Sequence, residues 1–203
     1  MKTIRLSSLG KTAVVLACAA LAASSLTWRV SRAAAQDQSA ADSKTAVVLV
    51  GHGGPARDFP RLKEYFAKHD EKSPETEQLE ADMRDWPRTA ENDPYWAGFM
   101  KVKHSLEASG RYQSVHAAFN EFCAPTLGAA LEQAAAGHPE SIIVASIMLT
   151  PGGSHSEKDI PKSIDAFKAA HPELKVIYAW PYSEQDIADL IQAQVERFIP
   201  AGS

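Results

Sequence analysis

From Thr45 onward the chain alternates apolar runs with segments whose apolar residues recur at intervals of three and four. The first run, TAVVLVGHG, is β-branched and ends in glycine, which suits a strand buried on both faces of a sheet. YQSVHAAFNEF, SIIVASIML and KVIYAWP read as three further strands. Between them, Phe59, Leu62 and Phe66 share one helical face, and Phe99, Val102 and Leu106 mark a second helix closed by Gly110. Pro125 opens a third, with Leu127, Ala130, Leu131 and Ala134 at i, i+3, i+4 and i+7. Ile160, Ile164 and Phe167 line a fourth, for which Asp159 is the expected N-cap. Ser183 with Asp186 caps a last helix carrying Ile187, Leu190, Ile191 and Phe198. This order of segments predicts an α/β fold: a mostly parallel four-stranded sheet with helices on both faces, joined by right-handed crossovers.

One stretch exceeds that minimal unit. Residues 69 to 98 are charged, contain prolines and are rich in aromatics, and they lengthen the first crossover. They read as an inserted helix over Glu75 to Asp85 followed by an irregular loop bearing Trp86, Tyr95 and Trp96. Those aromatics suit either an ordered lid or packing on the domain's flank. The similar stretches GHPESIIV and AHPELKVI each join a helix end to a strand. His138 and His171 there are expected to serve helix ends, where a histidine suits the dipole and proline stops the helix.

The N-terminus has a different character. Lys2, Arg5 and Lys11 precede an apolar segment from Thr12 to about Leu26, and Ala33, Ala34 and Ala35 offer a cleavage site. Residues 1–35 thus read as a signal peptide, 36–44 as a polar linker and 45–203 as one domain, which places the protein in the periplasm or otherwise outside the cytoplasm. An uncleaved anchor is the alternative; after processing no stable membrane span is expected. Cleavage after Ala35 removes five basic residues and no acidic one, moving the formal charge from -4 to -9. So acidic a chain argues against nucleic-acid binding, which needs phosphate-neutralising Lys and Arg. Only Cys123 of the two cysteines then remains, so no intrachain disulfide can form and the core must supply stability.

In parallel sheets ligands bind beyond the carboxyl ends of the strands. The first strand delivers His52 to that edge, the second Asn120, Glu121 and Cys123, the third Ser154, His155, Glu157 and Asp159, and the fourth Trp180 and Tyr182. GHGGPARD is neither a dinucleotide fingerprint nor a phosphate loop, so no nucleotide is expected. A serine-hydrolase elbow and a His-Glu-x-x-His helix are also missing. Two imidazoles and a carboxylate on separate loops, without a dense cysteine set, suit a labile divalent first-row metal such as Co, Ni, Fe or Zn. Glycines 51, 53, 54, 152 and 153 leave room for a large flat ligand beside each histidine.

VLVGHGGPARDFP, AFNEFCAPTLGAAL and IMLTPGGSHSEKDIP, in that order, resemble the CbiX-type sirohydrochlorin chelatases of the class II tetrapyrrole chelatase superfamily. The resemblance runs from about Thr45 to the last helix; the insertion and the export signal depart from the short form of the family. It implies a chelatase-like unit that inserts a divalent metal, Co2+ first and Ni2+ or Fe2+ as alternatives, into sirohydrochlorin or a related tetrapyrrole without ATP. It also implies a homodimer, because short members carry one unit per chain. The metal-handling and catalytic roles carry over to His52, Glu121 and His155. Arg57, Lys158 and Trp180 are candidates for the substrate cleft, with Arg61 and Lys162 as further basic groups and Trp86, Trp96 and Tyr182 as further stacking groups. Two other readings remain open: an exported metal or tetrapyrrole carrier that keeps the fold without turnover, and a hydrolase using metal-bound water.

Overall fold

Four parallel strands form one sheet in the computed structural model, which describes residues 44–200. The expected signal peptide and all of the linker but Lys44 lie outside the described residues. The strands are β1 (Thr45–Gly51), β2 (Ser114–Phe119), β3 (Ser141–Ser146) and β4 (Lys175–Tyr178), in the spatial order β2-β1-β3-β4. β1 pairs with β2 on one side and β3 on the other, so it is covered on both faces and both edges. That burial is why its sequence shows no polar alternation.

The helices follow as α1 (Leu62–Lys68), α2 (Pro74–Arg84), α3 (Pro94–Ala108), α4 (Leu127–Ala135), α5 (Ile160–Ala170) and α6 (Glu184–Glu196). Alternate residues of a strand face opposite ways. Ala46, Val48 and Val50 accordingly join Leu131 of α4 and Ile164 and Phe167 of α5 in the main core, whereas Leu49 meets Phe99 of α3 on the other face. Helices thus cover both faces, as the pattern predicts. Among the described residues no helix is long and apolar enough to cross a membrane.

Several local expectations change. The inserted helix runs Pro74–Arg84, one residue from its predicted bounds, and the Ser73 side chain caps it by accepting from the Thr76 N–H. Tyr95 and Trp96 lie in the first turn of α3, not in an irregular loop, because Pro94 can start a helix and Asp93 caps it at the Trp96 N–H. Trp86 meets Phe59 edge to face and joins a small third core with Ala56, Leu79 and Met83. The insertion therefore packs on the domain's flank. Pro125 stands before the N-cap Thr126, whose hydroxyl accepts from the Ala129 N–H. His171 ends α5 and pairs with Glu132 at 3.0 Å, in keeping with a role at a helix end.

Phe59 and Leu62 of the first predicted helical face pack in the third core, but two predicted faces leave large apolar side chains exposed among the described residues. Phe66 on α1 is half exposed. α6 buries no residue, and Leu190 and Ile191 are 60% and 57% exposed, with Val195, Phe198 and Ile199 exposed beside them.

Candidate metal site

Because β1, β2 and β3 run parallel, the segments after them emerge at one edge of the sheet. The pairing continues past the strands: Asn120 N–H donates to the Gly51 carbonyl at 3.1 Å and Glu121 N–H to the His52 carbonyl at 2.9 Å. This ladder brings the His52 and Glu121 side chains together. His155 arrives differently, on a single π-helical turn, His155–Asp159, that runs straight into α5. Such turns are rare and frequent at functional sites.

One ligand atom from each of His52, Glu121 and His155 lies within 4.8 Å of the others, so the structure brings together all three sequence-predicted metal residues. The His155 Nε2 is 3.5 Å and the His52 Nε2 3.9 Å from the two oxygens of the Glu121 carboxylate. The rings stand edge to face with centroids 4.9 Å apart. Donors on one tetrahedral ion at metal-nitrogen distances of about 2.0–2.1 Å are separated by roughly 3.3 Å, so small side-chain movements suffice to close on an ion.

The hydrogen bonds behind the rings fix what the rings present. The His52 Nδ1 lies 3.0 Å from the Gly53 carbonyl, which can only accept, so this nitrogen carries the proton. The His155 Nδ1 is held 2.7 Å from the Asp159 carboxylate in the same way. In its neutral form each ring therefore turns an unprotonated Nε2 toward Glu121, the arrangement a metal ligand requires. Asp159 is thus the orienting carboxylate of His155. It stands at the N-cap position of α5, as expected, but makes no side-chain capping bond there. The signal for this role was the four-residue spacing from His155, which places the two side chains on one face of a turn.

Gly51 and Gly53 are explained by the protein atoms that surround them. Gly53 has φ +92°, and a Cβ there would sit 1.9 Å from the Glu121 carbonyl oxygen. A Cβ at Gly51 would press on the Phe99 ring and the Tyr95 hydroxyl. Glu157 closes its own loop by accepting from the Gly152 N–H at 2.7 Å.

Of the other candidates, Arg57 and Lys158 are exposed, and Trp180 is half-buried. Trp180 lies parallel to Tyr178 at 6.1 Å and edge-on to Tyr182 at 6.0 Å, beyond the end of β4. Desolvation pushes the Tyr178 hydroxyl up to about 12 and raises Tyr182. Arg61 is engaged by both oxygens of Glu64, and Trp86 donates its indole N–H to Asp58. Cys123 is a buried thiol, raised by desolvation, 3.3 Å from the Gly54 carbonyl.

Comparison with known proteins adds the lineage. The family model for CbiX matches residues 91–198, just over half of the chain, a span that holds Glu121 and His155 and stops short of His52. A sirohydrochlorin cobaltochelatase from Methanopyrus kandleri is 33% identical over 64 residues, which are 32% of this chain and 44% of that relative. The chain thus aligns with less than half the length of the curated relative it matches. Two solved structures are similar. One is a CbiX protein assigned to cobalamin (vitamin B12) biosynthesis in Marinobacter aquaeolei VT8, 18% identical, with a TM-score of 0.45 over 75% of this chain and 98% of that one. The other is the sirohydrochlorin chelatase SirB from Bacillus subtilis subspecies spizizenii in complex with cobalt, 15% identical, with a TM-score of 0.47 over 75% of this chain and 50% of that one. With more than half of its length matched by the family model, the chain belongs to the CbiX family.

Proposed function

We propose that the protein inserts a divalent metal, with cobalt as the physiological ion, into sirohydrochlorin or a closely related tetrapyrrole without ATP. The observation that carries this reading is the convergence of two Nε2 lone pairs and one carboxylate at an exposed edge of the sheet. Neutral imidazole and carboxylate are good ligands for a labile first-row ion, and three ligands leave positions open for exchange. Insertion requires stripping water from the ion, bending the macrocycle and removing two pyrrole protons. His52 and His155 hold the partly dehydrated ion, and Glu121 completes the site or accepts a proton from the ring. Arg57 and Lys158 offer charge to substrate carboxylates, and Trp180 with its two tyrosines offers a wall for the ring.

The working form in this reading is a homodimer. The exposed apolar stripe on α6 supports it, since contiguous apolar surface of this kind marks an interaction site. The N-terminal charge and apolar pattern support an exported enzyme, and mass spectrometry of the exported chain tests cleavage near Ala35.

The decisive experiment mixes the protein with sirohydrochlorin and Co2+ and follows the macrocycle's absorption over many turnovers. Catalytic metal insertion that disappears in His155→Ala, with circular dichroism unchanged, supports the proposal. Insertion retained in His155→Ala refutes the site, and stoichiometric binding without turnover marks a carrier.

A further inference from the structure

The segment between α2 and α3 is bonded to both rigid loops of the metal site. Its centre is Arg88, whose side chain is 6% exposed and paired with the 3% exposed Asp93 at 2.9 Å. One guanidinium nitrogen also donates to the Gly54 carbonyl at 2.7 Å. The other donates to the Met83 carbonyl at 2.9 Å and to the Phe122 carbonyl. Gly54 is two residues past His52, and Phe122 is the residue after Glu121. A single planar group therefore ties the His52 loop to the Glu121 loop.

The surroundings work to the same end. Tyr95 accepts the backbone N–H of His52 on its hydroxyl at 2.9 Å. Asn92 accepts from the Arg57 N–H, and Arg84 from the Ala124 N–H, so each loop is also joined to the insertion by backbone. Phe122 is held at φ +60°, a conformation that a non-glycine residue keeps only when its surroundings over-determine it. A buried ion pair adds little net stability over an apolar pair of the same size, so stability alone is a weak reason for a charge at this place. A rigid fork that reaches two loops at once is a reason that lysine cannot meet.

We propose that Arg88, locked by Asp93, is a positioning residue through which the insertion sets the separation of His52 and Glu121 and thereby the affinity for the metal. This rests on the reading of His52, Glu121 and His155 as the metal site.

The test titrates the full chain with Co2+ alone, by calorimetry and by the visible absorption of the bound ion, below the melting temperature of every variant. Arg88→Lys keeps the charge opposite Asp93 but cannot span both carbonyls. It is expected to weaken Co2+ binding about tenfold or more and to shift the Co2+ absorption band. Leu131→Ala, fully buried in the core on the other side of the sheet, is the control: it lowers Tm and leaves affinity and band unchanged. If Arg88→Lys fails to fold, Tyr95→Phe serves instead, since it removes the hydroxyl through which the insertion holds the backbone of the His52 loop and is expected to weaken binding several-fold. Wild-type affinity and band in the folded Arg88 variant, or in Tyr95→Phe where that variant stands in, overturn the positioning role while the metal site stands. Wild-type protein whose Co2+ binding does not depend on His155 overturns both.

Discussion

Asp159→Ala is the sharpest probe of how the site holds its third candidate ligand. The carboxylate lies 2.7 Å from the His155 Nδ1, a charge-assisted bond that fixes both the tautomer and the ring orientation. Removing it frees the imidazole to rotate and to place a proton on Nε2. Loss of such an outer partner typically costs 10–100-fold in metal affinity, or about 1.4–2.7 kcal/mol. Here the side chains are 26% and 52% exposed, so water replaces part of the lost bond and the lower end applies, about tenfold. Asp159→Asn keeps an acceptor oxygen without the charge and should fall between, at about threefold. Calorimetric titration with Co2+ reads both values, and circular dichroism shows that the turn into α5 is intact. Equal Co2+ affinity in wild type and Asp159→Ala would refute the claim that this carboxylate orients His155.

Gly53→Ala adds a Cβ 1.9 Å from the Glu121 carbonyl at φ +92°; backbone strain alone of about 1–3 kcal/mol should lower Tm by several degrees and abolish Co2+ binding. An unchanged thermogram would mean that the two loops part freely. His116 is lowered by desolvation and then by Lys103, so the unfolded state binds more protons near its ordinary value of about 6.5. Stability should therefore fall as pH drops from 7 to 5 by more in wild type than in His116→Gln, as scanning calorimetry at the two pH values will show; equal losses contradict the assignment. Glu at both Leu190 and Ile191 should convert a dimer to a folded monomer in light scattering, and a wild-type chain that is monomeric at every concentration removes the dimer.

The sheet was legible because each strand carries a short apolar core and most helices repeat at three and four. The His52 and Glu121 pairing was legible for the same reason, since parallel strands of similar length must end at one edge. The failures are local contests between signals. Asp159 stands where an N-cap would, but His155 four residues earlier competes for its carboxylate and wins, and a π turn replaces the cap. Tyr95 and Trp96 looked like loop aromatics because the prolines around them hid a helix start that Asp93 and Pro94 create. Arg88 could not be singled out at all. Three of its four acceptors are backbone carbonyls, and a carbonyl has no letter in a sequence.

The three candidate ligands are held by two separate devices. His52 and Glu121 stand on a continued strand ladder, braced by Gly53 and by the Arg88 fork. His155 stands on a π turn and is held through Asp159, which shares no hydrogen-bond partner with Arg88. Perturbations without shared partners usually add to within about 0.5 kcal/mol. Asp159→Ala combined with Arg88→Lys should therefore multiply their separate losses of Co2+ affinity, to roughly a hundredfold when each costs about tenfold. The cycle is closed by titrating wild type, both single variants and the double variant under one condition. A double variant no weaker than the worse single one shows instead that both changes release the same ligand, and that the edge of the sheet moves as one piece.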